Sequence, residues 1–135
     1  MTTRAARGLD QDEPLGLAAL AAAGVDVDVV DWDDPTVDWG RYDRVAPRST
    51  WDYPERLDAY LAWLGAVDAV TQLCNPAAAM LWSLDKRYQV ALAADGVPWV
   101  PTTVVAPAQT LPVPEGGVVV KPPSAPARLA AVLSG

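Results

Sequence analysis

The stretch RVAPRSTWDYPERLDAYLAWLGAVDAVTQL, from Arg44 to Leu73, contains a complete strand–helix–strand pattern. Two short apolar segments, RVA and VDAVTQL, predict strands on either side of it. Between them, apolar residues recur at i, i+3, i+4 and i+7, which predicts an amphipathic helix with Pro54 in its first turn. The apolar stripe consists of Leu57, Tyr60, Leu61 and Leu64. Two strands joined through a helix are expected to pair in parallel, with a right-handed crossover.

The flanking segments extend this alternation. DEPLGLAALAAAG predicts a helix from about Pro14 to Ala23, and the alternating VDVDVVDW predicts a strand. Asn75 and Pro76 suit the N-cap and first turn of a helix over AAAMLW, and a further helix is expected from about Leu84 to Ala94. VPWVPTTVV and GGVVVKP predict two more strands, separated by a proline-rich loop. The fold class is therefore α/β with a small parallel sheet, and a composition shift near Asn75 predicts a boundary between two units.

Composition limits the partners of the chain. With 135 residues and 51% hydrophobic content, it can bury a core. The net charge of −7 disfavours nucleic acid and anionic membranes as partners. The longest apolar stretch is too short to cross a bilayer, and MTTRAARGLD does not have the pattern of a secretory signal. These features predict a cytoplasmic protein without a membrane partner.

Residue types limit the chemistry as well. The chain has no histidine and one cysteine, Cys74, which excludes histidine-based triads, Cys–His dyads and the usual zinc sites. Neither GxxxxGK[ST] nor GxGxxG occurs. The remaining possibilities are chemistry by carboxylates, hydroxyls, lysine, arginine and oxygen-bound magnesium.

The segment RSTWDYP, Arg48 to Pro54, follows a predicted strand and precedes a helix, where ligands bind in α/β sheets. Arg48 can hold a carboxylate or phosphate, Ser49 and Thr50 can add hydroxyl contacts, and the aromatic rings can form a wall. A structural interpretation is also open, and spacing alone favours it. Ser49 or Asp52 would then cap the helix, the rings would cover the sheet edge, and Arg48 would pair with a nearby aspartate.

Taken together, RSTWDYP, NP…WSLDKRYQVALAADGVPWVPTT and VVVKP resemble, in this order, a bacterial group of ATP-grasp ligases that includes the cyclo-ligase of cycloserine biosynthesis acting on O-ureido-serine. The resemblance runs from about Leu9 to Pro122. It implies a pre-ATP-grasp α/β domain over residues 1–75, without the family's first strand. The beginning of an ATP-grasp domain would follow over 76–122, with a divergent tail over 123–135.

The resemblance also implies site residues. Lys86 in LDKRY and Lys121 in VVVKP, the chain's two lysines, match the ATP-phosphate lysines of the family. The substrate would be a small carboxylate or an amino-acid-like molecule, with ATP and Mg²⁺ as cofactors of the full-length proteins. No catalytic residue or metal ligand is assigned. The proposed substrate contacts are Arg48, Ser49, Thr50 and Asp52.

The family's phosphate loop and magnesium ligands have no counterpart here, so whether the chain is an enzyme is left open. One expectation is a truncated carboxylate–amine ligase, from a frameshifted or truncated gene, that is not competent alone and can require a partner polypeptide or oligomer. The alternative is a non-catalytic α/β module that binds a small ligand or a protein.

Overall fold

The computed structural model describes residues 2–106, 109–110, 118–121 and 131–133. The chain divides into two compact units, Met1–Ala77 and Ala78–Gly135. The regular elements of the first unit are helix α1 (Glu13–Ala22), strand β1 (Arg44–Val45), helix α2 (Leu57–Asp68) and strand β2 (Gln72–Leu73). Short 3-10 turns lie at Arg4–Ala6, Trp39–Arg41 and Tyr53–Glu55. The remaining elements are helix α3 (Ala77–Leu84), helix α4 (Tyr88–Ala94), strand β3 (Val118–Val120) and strand β4 (Ala131–Leu133).

The predicted parallel pairing is present in the first unit. Strand β1 pairs with β2 in parallel, with Arg44 opposite Gln72 and Val45 opposite Leu73. The backbone N–H of Cys74 continues the ladder by donating to the carbonyl of Val45 at 2.8 Å. The crossover between these strands contains helix α2. A mixed α/β unit with a small parallel sheet is therefore confirmed.

Thr2 lies between two other chain segments and pairs in parallel with both Asp31 and Ser49. Its backbone N–H donates to the carbonyl of Val30 at 2.9 Å, and its carbonyl accepts from the N–H of Trp32 at 2.9 Å. The Thr2 hydroxyl donates to the carbonyl of Ser49 at 3.3 Å. Three segments therefore end side by side, in the order Asp31, Thr2, Ser49.

The strand predicted over VDVDVVDW is wrong for most of its length. Residues 25–30 form no strand, and the pairing begins at the Asp31 bridge. A strand requires a neighbour for its backbone groups, and within residues 2–106 Thr2 supplies that neighbour at one position. Val25 and Val27 consequently remain exposed despite their alternating pattern.

Aromatic residues dominate the core. The side chain of Trp32 packs edge-on against Tyr60 and Trp63, with ring centroids 5.5 and 6.1 Å apart. Trp63 also packs edge-on against Trp39 at 5.6 Å. Such edge-to-face pairs add stabilisation beyond the area that they bury. The buried residues of α2 are Tyr60, Trp63, Leu64 and Val67.

Helix α2 thus differs from the prediction in its buried face and its ends. Leu57 and Leu61 are half-buried, whereas Trp63 and Val67, outside the predicted stripe, are buried. The helix begins after the 3-10 turn that contains Pro54. It also includes the first two residues of VDAVTQL, because Val67 is fully buried on the helix. The predicted strand therefore shortens to β2.

Three predictions in the second half require correction. The helix expected over Leu84–Ala94 is divided, because the Asp85 carboxylate accepts the backbone N–H of Arg87 at 3.0 Å and so stabilises a turn. Asn75 has a positive φ of 75°, and α3 begins two residues later. Residues 97–105 form no strand, and the prolines within VPWVPTTVV have no N–H for a ladder.

The strand predicted in GGVVVKP is confirmed as β3. It pairs antiparallel with β4, with Val118 opposite Leu133 and Val120 opposite Ala131. Strand β4 falls within the tail expected to diverge from the family. Most of the proline-rich loop, Gly116, Gly117 and Pro122 lie outside the described residues.

Leu64→Ala should lower the free energy of unfolding by about 2–5 kcal/mol, because Leu64 is 1% exposed and its truncation leaves a cavity. Leu15→Ala is the matched control, since Leu15 is 71% exposed, and it should change stability by at most about 0.5 kcal/mol. Urea unfolding followed by near-UV circular dichroism measures both. Equal losses in the two variants would contradict the described core.

Candidate functional site

The site is built around the Asp10 group, which consists of Asp10, Arg48 and Ser49. Arg48 Nε donates to Asp10 Oδ2 at 2.8 Å, and Arg48 Nη2 lies 3.4 Å from Oδ1. The Ser49 hydroxyl donates to the same Oδ2 at 2.5 Å. The loop before α1 supplies the carboxylate, and the segment after β1 supplies both donors.

Electrostatics keep the Asp10 carboxylate ionised. Hydrogen bonds from Arg48 and then Ser49 lower the pKa of Asp10 well below its usual range. The same pairing raises the pKa of Arg48. The side chain of Asp10 is 13% exposed and that of Arg48 is 53% exposed, so part of the guanidinium faces solvent. A guanidinium has five N–H donors, and those not directed at Asp10 can reach a ligand.

The four predicted substrate contacts divide into two sets. Arg48 and Ser49 meet on Asp10, as the structural interpretation anticipated for Arg48. Thr50 is buried and forms a hydrogen bond with Tyr60, whose pKa is raised mainly by burial. Asp52 accepts a hydrogen bond from Trp32 Nε1 at 2.9 Å.

The predicted helix-capping roles are not present. Asp52 precedes the 3-10 turn at Tyr53–Glu55 without a side-chain cap bond, and the Ser49 hydroxyl is directed at Asp10. Of the two aromatic residues in RSTWDYP, Trp51 is exposed, whereas Tyr53 packs on Tyr60 with ring centroids 5.0 Å apart. Tyr53 is therefore a packing residue.

Asp10 itself was missed by the sequence reasoning as a site residue. The available signal was the position of LDQDEP, a polar loop that enters a helix after a segment ending beside Ser49. Loops at the carboxyl ends of neighbouring parallel segments meet at one edge of the sheet. If MTTR is assigned to the sheet, the sequence predicts that Asp10 lies close to Arg48.

The two lysines belong to the second unit. Lys86 is half-buried in the turn Asp85–Arg87 between α3 and α4, and Lys121 is exposed directly after β3. Arg87 and Asp85 form an ion pair around Lys86. Bonds from Arg87 lower the pKa of Asp85 to about 2. The residue that precedes Lys86 in the sequence, Asp85, therefore carries an ionised carboxylate.

The described residues contain neither a metal-binding cluster nor a membrane-spanning helix. Within these ranges, no group of three or more His, Cys, Asp and Glu side chains is arranged to hold a metal ion. No helix in the described part of the chain is both long and apolar enough to span a bilayer.

Comparisons with known proteins agree on one relationship. Residues 1–75 match the family model of the D-cycloserine synthetase DcsG N-terminal domain. The cycloserine biosynthesis protein DcsG of Streptomyces lavendulae is 48% identical over 99 residues, which cover 73% of this chain and 33% of that protein. A crystal structure of D-cycloserine synthetase DcsG matches with a TM-score of 0.72 and 44% identity, over 80% of this chain and 36% of that chain.

The chain thus spans about a third of the length of the relatives that it matches. The family model covers more than half of the chain, from its first residue through β2 and Cys74. The resemblance to a protein of cycloserine biosynthesis, based on RSTWDYP and the segments after it, is confirmed. This chain belongs to the family of the D-cycloserine synthetase DcsG N-terminal domain.

Proposed function

We propose that the chain provides the substrate-side domain of an ATP-dependent carboxylate–amine ligase that acts on an amino-acid-like molecule. The observation that supports this function most directly is the Asp10 group, which lies at the carboxyl ends of parallel-paired segments. This edge of an α/β sheet is where ligands bind. Asp10 fixes the plane of the Arg48 guanidinium, which lowers the entropic cost of holding a ligand.

In this proposal the first unit contacts the substrate and the second unit contacts the nucleotide. Arg48 and Ser49 contact polar groups of the substrate, with Thr50 and Asp52 supporting the same edge. Lys86 and Lys121 would place positive charge on the phosphates of ATP, a task suited to a compact ammonium group. Mg²⁺ bound with ATP supplies further charge neutralisation during phosphoryl transfer.

A second candidate function is a non-catalytic module that binds a small ligand. The Asp10 group favours it, because all three residues lie within the 1–75 segment and require nothing from the second unit. In that case nucleotide would not bind, while the substrate edge would remain intact.

ATP binding distinguishes the two functions. We expect calorimetry to detect ATP at millimolar or tighter affinity in the presence of Mg²⁺, and Lys86→Ala to weaken it at least about tenfold through loss of a charged phosphate contact. Arg44→Ala, which removes an exposed cation from β1, is the control and should not change the affinity. A stable fold that binds no ATP would support the non-catalytic module instead.

The isolated chain should not catalyse an ATP-dependent ligase reaction. It spans about a third of its relatives, and phosphoryl transfer requires positioning groups and metal beyond those described here. Purified chain incubated with ATP, Mg²⁺ and a panel of amino acids should therefore release no ADP above the buffer rate. ADP release that depends on an amino acid would contradict this expectation.

The Asp10 group should make stability depend on pH. Because the pKa of Asp10 is lowered on folding, its contribution is complete above the ordinary aspartate pKa of 3.8 and is lost as the pH falls through the lower folded value. The difference in Tm between the unmodified chain and Asp10→Asn should thus be largest near neutral pH and shrink below about pH 4. Asp26→Asn, at an exposed position, is the control. A difference that is constant with pH would contradict the described pairing.

A further inference from the structure

Helix α1 has no buried side chain, although its sequence EPLGLAALAA is almost entirely apolar. The helix connects Thr2 to Asp31, and because these residues pair in parallel, the three form the order of a strand–helix–strand crossover. In such a unit the helix packs on the sheet that its two strands form. Within residues 2–106, Thr2 is the only residue that pairs with the segment ending at Asp31. Helix α1 therefore lacks a sheet surface to cover.

Residues 25–30 have the alternating pattern of a strand but belong to none. The N–H of Val25 donates to the carbonyl of Leu20, and the carbonyl of Val30 accepts from Thr2. Among the described residues, the backbone groups of 26–29 have no hydrogen-bond partner in another segment. A cavity of about 400 Å³ borders residues 28–30. This segment therefore presents unused backbone donors and acceptors, as the edge of a sheet does.

The side chain of Asp28 holds this segment in place. Asp28 Oδ2 accepts from Arg41 Nη2 at 2.7 Å and from the Tyr42 hydroxyl at 3.0 Å. The carbonyl of Tyr42 accepts from the Thr71 hydroxyl at 2.6 Å, next to the β1–β2 pair. These contacts attach the segment to the small sheet, which lowers the entropic cost of adding a strand to it.

The position of Thr2 defines what kind of strand fits beside this segment. A strand that continues the line of Thr2 toward the amino side runs parallel to residues 26–30, because Thr2 pairs in parallel with Asp31. It also supplies the sheet surface that the crossover geometry places beneath α1. Strands covered by helices in parallel sheets are runs of apolar, mainly β-branched residues. The fitting occupant is therefore an extended apolar segment of about five residues.

A second copy of the chain does not suit this edge. Any pairing that sets the valines of two copies opposite each other also sets Asp26 and Asp28 opposite aspartates, because side chains alternate with period two. Like charges directly opposite destabilise a sheet, and the net charge of −7 adds repulsion between copies. Strand β3, a valine-rich strand of this chain, already pairs with β4. The occupant is therefore a different polypeptide, without acidic residues in the docking segment.

We propose that residues 26–30 are a docking edge for an extended apolar segment of a partner polypeptide, which adds as a parallel strand in line with Thr2 and beneath α1. The added strand provides hydrogen-bond partners for the edge and an apolar surface for the helix. The inference does not depend on the proposed ligase function. The docking edge lies on the amino side of Asp31, whereas the Asp10 group lies at the carboxyl ends of the paired segments.

The test adds the synthetic peptide Ac-KKVIVVV-NH2 to the full chain and uses ¹H–¹⁵N NMR and thermal unfolding. The two lysines keep the peptide soluble and lie next to Asp26 in the parallel orientation. We expect the amides of residues 26–30 and of α1 to shift. The Tm should rise by at least about 4 °C at saturation, because the peptide binds only the folded unit.

The matched control peptide has the same side chains but is N-methylated at the isoleucine and the following valine. N-methylation removes two backbone donors on opposite sides of the strand, so this peptide cannot form the complete ladder. It should raise the Tm by less than about 1 °C.

Two variants of the chain isolate the backbone contribution. Alternate residues of a strand face the same neighbour, and the carbonyl of Val30 accepts from Thr2, so the N–H of Asp28 faces the added strand. Asp28→Pro removes this N–H, whereas Asp28→Ala keeps it, and both lose the side-chain contacts with Arg41 and Tyr42. Asp28→Pro should bind the peptide at least about tenfold more weakly than Asp28→Ala.

Four results would overturn the inference. Equal effects of the two peptides would indicate apolar contact without strand pairing. A nitroxide at the peptide's N-terminus that broadens the amide of Val30 more than that of Asp26 would reject the parallel orientation. A chain that dimerises in sedimentation experiments, and becomes monomeric as Asp28→Pro, would assign the edge to a second copy. Complete absence of peptide-dependent shifts would reject the docking edge.

Discussion

The backbone pairing of Thr2 with both Asp31 and Ser49 is the constraint on which the first unit depends. It aligns three chain segments so that they end at the same edge of the sheet. The residues that follow these segments therefore lie close together although they are far apart in sequence. The Asp10 group lies next to this residue, and so does a cleft of about 580 Å³ that is lined by Arg4, Asp52 and Arg56 among others. A parallel arrangement is required for this result, because antiparallel neighbours would send successive loops to opposite edges.

The two charged sites beside Thr2 differ in how fully their charges are satisfied. In the Asp10 group, one carboxylate accepts from an arginine and a serine, so its geometry is fixed before any ligand arrives. In the cleft, Arg56 is fixed by Asp33, Asp52 and the ring of Trp32, whereas Arg4 remains at the surface. The cleft therefore contains one arginine that is held by its neighbours and one that is almost fully exposed.

Periodicity within the sequence predicted much of the fold, because α1, α2 and β3 follow from local patterns. The parallel pairing of β1 with β2 followed from their order around a helix. Local patterns failed where a neighbour decides the outcome: Val25 and Val27 alternate like a strand but belong to no strand in the described range. The site was predicted in part, since Arg48 and Ser49 were named from their position. Asp10 depends on which segments become neighbours in the sheet, which local spacing alone does not specify.

The contact between Arg56 and Trp32 couples the surface to the interior. Trp32 is 2% exposed and packs against two α2 aromatics, and its indole N–H is held by Asp52. Two side chains that line the cleft, Asp52 and Arg56, therefore contact a core residue directly. By thermodynamic linkage, any molecule that binds only the ordered cleft also shifts the folding equilibrium of the unit toward its native state. The concentration of such a molecule would then set what fraction of the unit is folded.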